Sequence, residues 1–87
     1  MTEQVKKRRK LFFFADRIIK LYDNGYLGYY KQKDNHLKAL ISPSDIKSVA
    51  LESGNTRDKL KVVTKNKTYL FKFGTYDVAK EWHTRLL

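Results

Sequence analysis

Basic residues near the N-terminus are the groups in this sequence best suited to bind another molecule. Five of them are consecutive, and one arginine follows in the adjoining apolar segment. Lysine and arginine donate charge-assisted hydrogen bonds to phosphate and carboxylate oxygens. The segment therefore predicts an anion-binding site, whose candidate residues are Lys6, Lys7, Arg8, Arg9, Lys10 and Arg17.

The position of Arg17 in a predicted strand sharpens this interpretation. At the two-residue period of a strand, Arg17 shares a face with Ala15, Ile19 and other mostly apolar residues. A buried guanidinium without a partner is costly. We therefore expect Arg17 to reach the open end of the core, to pair with an acid, or to hold an anion. The alternative is a strongly twisted strand from which Arg17 reaches solvent along its own stem.

Composition limits the classes of function. The 87 residues form one domain, and hydrophobic and aromatic fractions of 41% and 14% are sufficient for a packed core. A net charge of +10 predicts a polyanionic partner, which is a nucleic acid, an anionic membrane surface or a phosphorylated small molecule. The absence of cysteine is compatible with the cytosol. No segment has the pattern of a signal peptide or a membrane span, so membrane contact would be peripheral.

The hydrophobic pattern predicts seven short strands followed by a helix. An Asn24-Gly25 pair predicts a type I′ hairpin turn after the second strand, and Ser53-Gly54-Asn55 predicts another turn. The predicted strands are Thr2 to Lys7, Lys10 to Tyr22, Tyr26 to Tyr30, Leu37 to Ile41, Ile46 to Glu52, Lys59 to Thr64 and Thr68 to Phe73.

The final segment predicts one amphipathic helix. Thr75 is the candidate N-cap, and Val78, Trp82 and Leu86 recur at four-residue intervals as an apolar stripe. Trp82 should pack against the sheet, with His83 on the solvent side. The helical pattern continues to the end of the chain, which suggests a domain taken from a longer protein.

Seven antiparallel strands followed by one helix with a central tryptophan resemble a pleckstrin homology (PH) domain. Such a fold is mainly β, a seven-stranded, partly open antiparallel barrel of two packed sheets capped by a C-terminal α-helix. The chain is most similar to the C-terminal PH domains of 3-phosphoinositide-dependent protein kinases. The similarity lies in Val5 to Phe12, Tyr29-Tyr30, Leu37-Lys38, Asn66 to Tyr69, and Ala79-Lys80 before Trp82.

The resemblance implies recognition of phosphoinositide headgroups or inositol phosphates by a non-catalytic module without a cofactor. The second basic residue of the family's pair on strand two corresponds to Arg17, whereas the first corresponds to Ala15. Asp16 stands where these kinases have a further arginine, which weakens the prediction of tight trisphosphate binding. Lys38 matches a family lysine beside the ligand, and Lys67 replaces an arginine in the hairpin turn.

The resemblance also implies a setting for the domain. Residues 1–87 would be a single PH-like domain of a serine/threonine kinase, located in the cytoplasm and peripheral to membranes. Its partners would be phosphoinositide headgroups or an anionic membrane surface, soluble inositol phosphates and the kinase domain of the same chain.

Other functions find weaker support. His36 and His83 have no carboxylate or cysteine at metal-ligand spacing, so neither an enzyme nor a metal site is predicted. Tyr26, Tyr29 and Tyr30 among lysines could form a base-stacking platform for nucleic acid, but alternation places Tyr29 on the opposite face. A PH-like module that binds a protein, with only non-specific attraction to anionic lipid, is the other alternative.

Overall fold

The computed structural model describes residues 1–10, 13–52 and 58–86, and only the backbone of residues 9, 10 and 13. Seven strands precede one α-helix, and a single 3₁₀ turn, Pro43–Asp45, joins the fourth and fifth strands. The strands are β1 (Thr2–Lys10), β2 (Phe13–Leu21), β3 (Leu27–Lys31), β4 (Leu37–Ile41), β5 (Ile46–Leu51), β6 (Lys59–Thr64) and β7 (Thr68–Lys72), and the helix is α1 (Tyr76–Leu86).

All seven strands belong to one antiparallel sheet of order β4-β3-β2-β1-β7-β6-β5. The sheet is strongly bent, because the ring centroids of Tyr29 on β3 and Tyr69 on β7 are 5.6 Å apart. In a flat sheet, strands three places apart would be separated by about 14 Å. The two halves of the sheet therefore face each other as the predicted packed layers. The prediction of a mainly β fold with seven antiparallel strands and a C-terminal helix is confirmed.

The core fills the space between the two halves of the sheet and the helix. Ile19, Leu27, Leu60, Val62 and Trp82 are completely buried there. On β1 and β6 the buried residues follow the two-residue alternation, so one face of these strands is inside and the other is outside, whereas β3 and β7 each have three consecutive buried residues. The inner face is the one that includes Arg17, because Val5 and Ile19 share it.

The predicted end of the first strand at Lys7 is wrong. The first strand continues through Lys10, and it pairs with β2 from Thr2 opposite Lys20 to Lys10 opposite Phe13. Five successive basic residues give no apolar alternation, so the sequence pattern could not show that they were extended. Because the run is a strand, its side chains are divided between the two faces of the sheet.

The turn between β2 and β3 also differs from its prediction. A type I′ turn requires positive φ at both central residues, but only Gly25 of the Asn24-Gly25 pair has it, at φ 88°. The Gly25 amide donates to the Tyr22 carbonyl, and the Tyr22 amide donates to the Tyr26 carbonyl. This pattern corresponds to a longer hairpin loop in which a glycine with positive φ follows the turn. The predicted turn at Ser53-Gly54-Asn55 lies outside the described residues.

The helix begins and packs as predicted. The Thr75 hydroxyl accepts a hydrogen bond from the Val78 amide, as an N-cap does. Trp82 is fully buried against Phe73, with ring centroids 6.1 Å apart. His83 is not on the solvent side, because its Nε2 lies 3.1 Å from the Val49 carbonyl oxygen of β5 and its side chain is half-buried. The histidine joins the helix to the edge of the sheet.

Candidate anion-binding site

Lys7 is at the centre of the site. Its side chain is on the inner face of β1, where Lys7 pairs with Ala15 of β2 on one side and with Phe71 of β7 on the other. The side chain is only 8% exposed, and its Nζ lies 5.5 Å from the ring centroid of Tyr29 and 5.7 Å from that of Tyr69. Cation–π attraction to two rings partly replaces the water that the ammonium loses.

Arg17 lies on the inner face of the neighbouring strand. Its Cζ is 6.0 Å from the Tyr29 ring centroid, so Arg17 and Lys7 share one aromatic partner. One guanidinium nitrogen, Nη1, donates to the Asp16 carbonyl oxygen at 2.8 Å. The Nε of Arg17 is buried and has no hydrogen-bond partner. A buried N–H without a partner is costly, and an anion that reached it would remove that cost.

Two further lysines border the site. Lys67, in the turn between β6 and β7, places its Nζ 5.1 Å from the Tyr69 ring centroid. Lys31 is directly opposite Arg17 across the β2–β3 pair. A groove of about 440 Å³ adjoins Arg17 and is lined by Asp16, Arg17, Lys31, Gln32 and Lys33. We call Lys7, Arg17 and Lys67 the cation cluster.

The cation cluster has no carboxylate partner among the described residues. The ion pairs among the described residues join Lys6 to Asp16 and Lys65 to Asp45; both pairs are exposed and lie outside the cluster. Burial lowers the pKa of the Lys7 ammonium, and the charge of Lys67 lowers it further against an opposing effect of Tyr29. Burial alone would raise the pKa of Tyr29, but the nearby guanidinium of Arg17 and the ammonium of Lys7 lower it overall. The site therefore favours added negative charge.

The structure separates the other sequence-predicted residues from this cluster. Lys6 and Arg8 flank Lys7 in β1, are exposed, and belong to the outer face by alternation. Lys6 Nζ binds Asp16 Oδ1 at 3.0 Å, so the Asp16 carboxylate is engaged outside the cluster. Lys38 is exposed on β4 and alternates with Ala39, which packs against the core. The side chains of Arg9 and Lys10 lie outside the described residues.

The two tyrosines that contact Lys7, Tyr29 and Tyr69, and the bordering Lys31 were not predicted from the sequence. Tyr29 and Lys31 lie directly opposite Ile19 and Arg17 across the β2–β3 pair and share their inner face. Alternation along β3 could therefore have indicated both residues. Tyr69 is about 60 residues beyond Lys7 in the chain, and the pairing of β7 with β1, in which Phe71 is opposite Lys7, brings the two together. No local pattern in the sequence indicates that contact.

The tyrosines do not form the nucleic-acid platform considered above. Tyr29 is 4% exposed and is part of the core, where its ring makes edge-to-face contacts with Tyr69 and Phe71, so it is not available to stack on a base. Tyr30 lies on the outer face, where its hydroxyl contacts that of Tyr22 and where Lys20 Nζ is 4.9 Å from its ring centroid. Rings on opposite faces of a sheet cannot stack successive bases of one strand.

A strongly bent antiparallel sheet of seven strands, closed by a C-terminal helix and carrying a cation cluster on its inner face, defines a small β module built for binding. The sequence matches the family model of the PH domain over residues 1–87. The chain belongs to the PH domain family. PH domains generally mediate interactions with proteins or lipids and are non-catalytic.

Solved structures of PH domains share the fold. The N-terminal PH domain of human ARAP2 has a TM-score of 0.81 and 24% identity, covering 99% of this chain and 74% of that one. The C-terminal PH domain of human pleckstrin has a TM-score of 0.76 and 18% identity, over 99% and 74% of the two chains. The PH domain of human pleckstrin homology domain-containing family A member 5 has a TM-score of 0.73 and 21% identity, over 100% and 73%.

A search of curated proteins by sequence gave no significant match. In the part of the chain that the structure describes, no helix is sufficiently long and apolar to cross a bilayer.

Proposed function

We propose that the domain binds phosphoinositide headgroups in membranes, or soluble inositol phosphates, through the cation cluster. The observation that carries the proposal is the buried Arg17 Nε, which lacks a hydrogen-bond partner in a cluster of cations that no described carboxylate pairs with. A phosphate oxygen supplies both the missing acceptor and the missing negative charge. A carboxylate would supply them as well, but it carries fewer oxygens for three cations to share.

The arrangement of the cations favours a ligand with more than one phosphate. Lys7 shares one tyrosine with Arg17 and a second tyrosine with Lys67, so it lies between them. A single phosphate in contact with Arg17 leaves Lys67 for a neighbouring phosphate on the same ring. Ala15, where the family has a basic residue, removes one further contact, and we expect moderate affinity.

The outer-face residues have a different role in this proposal. Lys6 and Arg8 are exposed in β1 and contribute long-range attraction to anionic surfaces, at about 1 kcal/mol for each charge near the leaflet. Lys38 belongs to the same group. These charges attract the domain to a membrane without recognising a headgroup.

The cellular setting is also part of the proposal and rests on the sequence resemblance alone. We infer a cytoplasmic domain that is peripheral to membranes and that recruits or regulates a serine/threonine kinase of which it is a part. The resemblance to kinase PH domains involves short segments, and the family model supports the PH domain without this subdivision.

The second candidate function is binding to a protein. Leu37 and Leu40 on the edge strand β4 are 44% and 53% exposed, and Tyr22 on the outer face is 40% exposed. Exposed apolar residues grouped on one surface are typical of protein interfaces. In this case the attraction to lipids would depend on net charge only, and Arg17 would have no special effect.

Substitution of two arginines separates these functions. Arg17→Ala should weaken binding to phosphoinositide vesicles by about 1.5–3 kcal/mol, because it removes charge-assisted bonds to phosphate. Arg8→Ala removes the same charge from the outer face, so it should weaken binding to all anionic vesicles equally. Vesicle co-sedimentation measures both effects, with phosphoinositide present or replaced by phosphatidylserine at equal total charge.

The proposal fails if both vesicle types bind equally and Arg17→Ala and Arg8→Ala behave alike. Amide chemical-shift titration with soluble inositol hexakisphosphate gives an independent measurement of the site. Residues around Lys7, Arg17 and Lys67 should shift together, while the exposed face of α1 around Lys80 should not. Shifts confined to the outer face would favour the protein-binding alternative.

A further inference from the structure

Lys7 differs from the other lysines of the chain in its surroundings. Among the lysines whose side chains the structure describes, it alone is buried, at 8% exposure. The rings of Tyr29 and Tyr69, which contact each other, both lie within 6 Å of its Nζ, and no described carboxylate pairs with it. Lys6, the preceding residue, is exposed and bound to Asp16. The side-chain amines of these two adjacent lysines thus lie in opposite environments, one exposed and one buried.

The surroundings of Lys7 favour its neutral amine. Burial penalises the ammonium, and this lowers the pKa of Lys7, with Lys67 adding to the effect and Tyr29 opposing it. Arg17 on β2 and Lys31 on β3 are further positive groups on the same face of the sheet. A neutral lysine amine is the nucleophilic form, because the ammonium has no lone pair.

The cations on either side of Lys7 can hold the leaving group of a reagent. Arg17 has its free Nε on one side, and Lys67 has its exposed ammonium on the other. Both bind phosphate oxygens well, and Lys7 lies between them. A phosphorylated acyl donor held by Arg17 and Lys67 would place its carbonyl carbon beside Lys7.

We propose that Lys7 is a selective acylation site whose donors are acyl phosphates. The Lys7 nitrogen attacks the acyl carbon, the C–N amide bond forms, and the bond from the acyl carbon to the phosphate oxygen breaks. Inorganic phosphate leaves with the electron pair of that bond and accepts the proton that nitrogen loses. The donor preference rests on the phosphate binding proposed above, whereas the reactivity of the amine does not.

Acylation would also switch off the site. The amide is neutral, so the cation cluster loses its central charge and its donor to phosphate. The acyl group would lie against the rings of Tyr29 and Tyr69, which contact each other. Binding of phosphoinositide vesicles by the modified domain should therefore decrease, with the outer-face attraction retained.

The experiment compares two acetyl donors on the intact domain. Acetyl phosphate is anionic, and the N-hydroxysuccinimide ester of acetic acid is uncharged. Acetylation of each lysine is followed over time by peptide mass spectrometry near pH 8, with Lys6 as the internal control. Both donors should acetylate Lys7 several-fold faster than Lys6. The preference should be larger with acetyl phosphate, and excess inorganic phosphate or Arg17→Ala should reduce it to the level of the ester, while the ester keeps a preference for Lys7.

Three results would decide the matter. If acetyl phosphate modifies Lys7 no faster than Lys6, the proposal is wrong. If only the neutral ester prefers Lys7, the amine is reactive but acyl phosphates are not its donors, which also overturns the proposal. If acetyl phosphate prefers Lys7 in a domain that does not distinguish phosphoinositide vesicles, the acylation site stands and the proposed lipid function fails.

Discussion

At the scale of residues, alternation along β1 decides which of its basic side chains faces inwards and belongs to the cation cluster. Lys7 is buried beside two tyrosines, whereas Lys6 and Arg8 on either side of it are exposed. Arg17 could be assigned from the sequence because apolar residues surround it at the strand period. Lys7 could not be distinguished in a run of five cations, and only its register with Ala15 and Phe71 shows that it faces inwards.

Ala15 offers the simplest test for the geometry of the site. It is directly opposite Lys7 across the β1–β2 pair, on the inner face. Ala15→Arg should raise affinity for phosphoinositide vesicles, because a guanidinium there adds charge-assisted bonds to phosphate, at about 1–3 kcal/mol. Vesicle co-sedimentation checks the affinity, with Ala50→Arg, at an exposed position on β5, as the control. An equal gain in both variants would show that net charge alone is responsible.

Proton uptake should accompany binding of a phosphate ligand. The pKa of the Lys7 ammonium is lowered in the free domain, and a bound anion raises it again. The bound state therefore holds more protons, and affinity should decrease as the pH rises through the pKa of Lys7. Above about pH 8 the ligand phosphates are fully ionised and do not contribute. Calorimetry in buffers of different ionisation enthalpy measures the uptake.

Lys7→Arg is the control for this coupling. Arginine stays charged throughout the range, so the variant should bind without the proton uptake of Lys7. Tyr29 also has a lowered pKa, and any uptake that remains in Lys7→Arg belongs to its hydroxyl. Uptake that is equal in the two proteins would contradict the assignment to Lys7.

At the scale of elements, the sequence located strands better than it located the ends of strands. The bounds of β4 and β6 were predicted correctly, because polar or turn residues flank apolar ones there. The length of β1 and the turn at Asn24-Gly25 were wrong. In both cases pairing across the sheet, which the local pattern does not contain, sets the conformation of the backbone.

Trp82 is the residue through which α1 depends on the sheet. The side chain is fully buried, and Trp82→Ala should lower the free energy of unfolding by about 3–5 kcal/mol through lost burial and a residual cavity. A domain of this size has little more to lose. Denaturation by urea measures the change. Tyr76→Ala, at a 37% exposed position of the same helix, should cost much less, and equal costs would argue against docking through Trp82.

At the scale of the whole molecule, the net charge of +10 acts on both faces of the sheet but in different ways. Exposed charges interact over a Debye length, which is about 10 Å at 0.1 M salt and about 3 Å at 1 M. The charges of Lys7, which is buried, and of Arg17, which is half-buried, are screened less. The fold thus provides exposed charges for general attraction and, under the proposed function, a cluster of less exposed charges for local recognition, and composition alone could predict only the general attraction.

Salt should separate these two contributions. Binding to vesicles that contain phosphatidylserine alone should decrease steeply as the salt concentration rises, because it depends on exposed lysines and arginines. The additional affinity for phosphoinositide at equal total charge should decrease less. Co-sedimentation across a series of salt concentrations tests this, and parallel losses for both vesicle types would mean that the cluster is not used.

The contact of His83 with the backbone of β5 has a consequence for self-association. The bent sheet has two edges, β4 and β5, and α1 packs against β5 and β6. The His83 ring nitrogen is hydrogen-bonded to the Val49 carbonyl oxygen, which is therefore not free to pair with another strand. A second chain that added a strand to β5 would first have to displace the helix. The edge at β4 has no such cover from α1 and bears exposed Leu37 and Leu40. Templated growth of the sheet into aggregates would therefore proceed from β4, in one direction only.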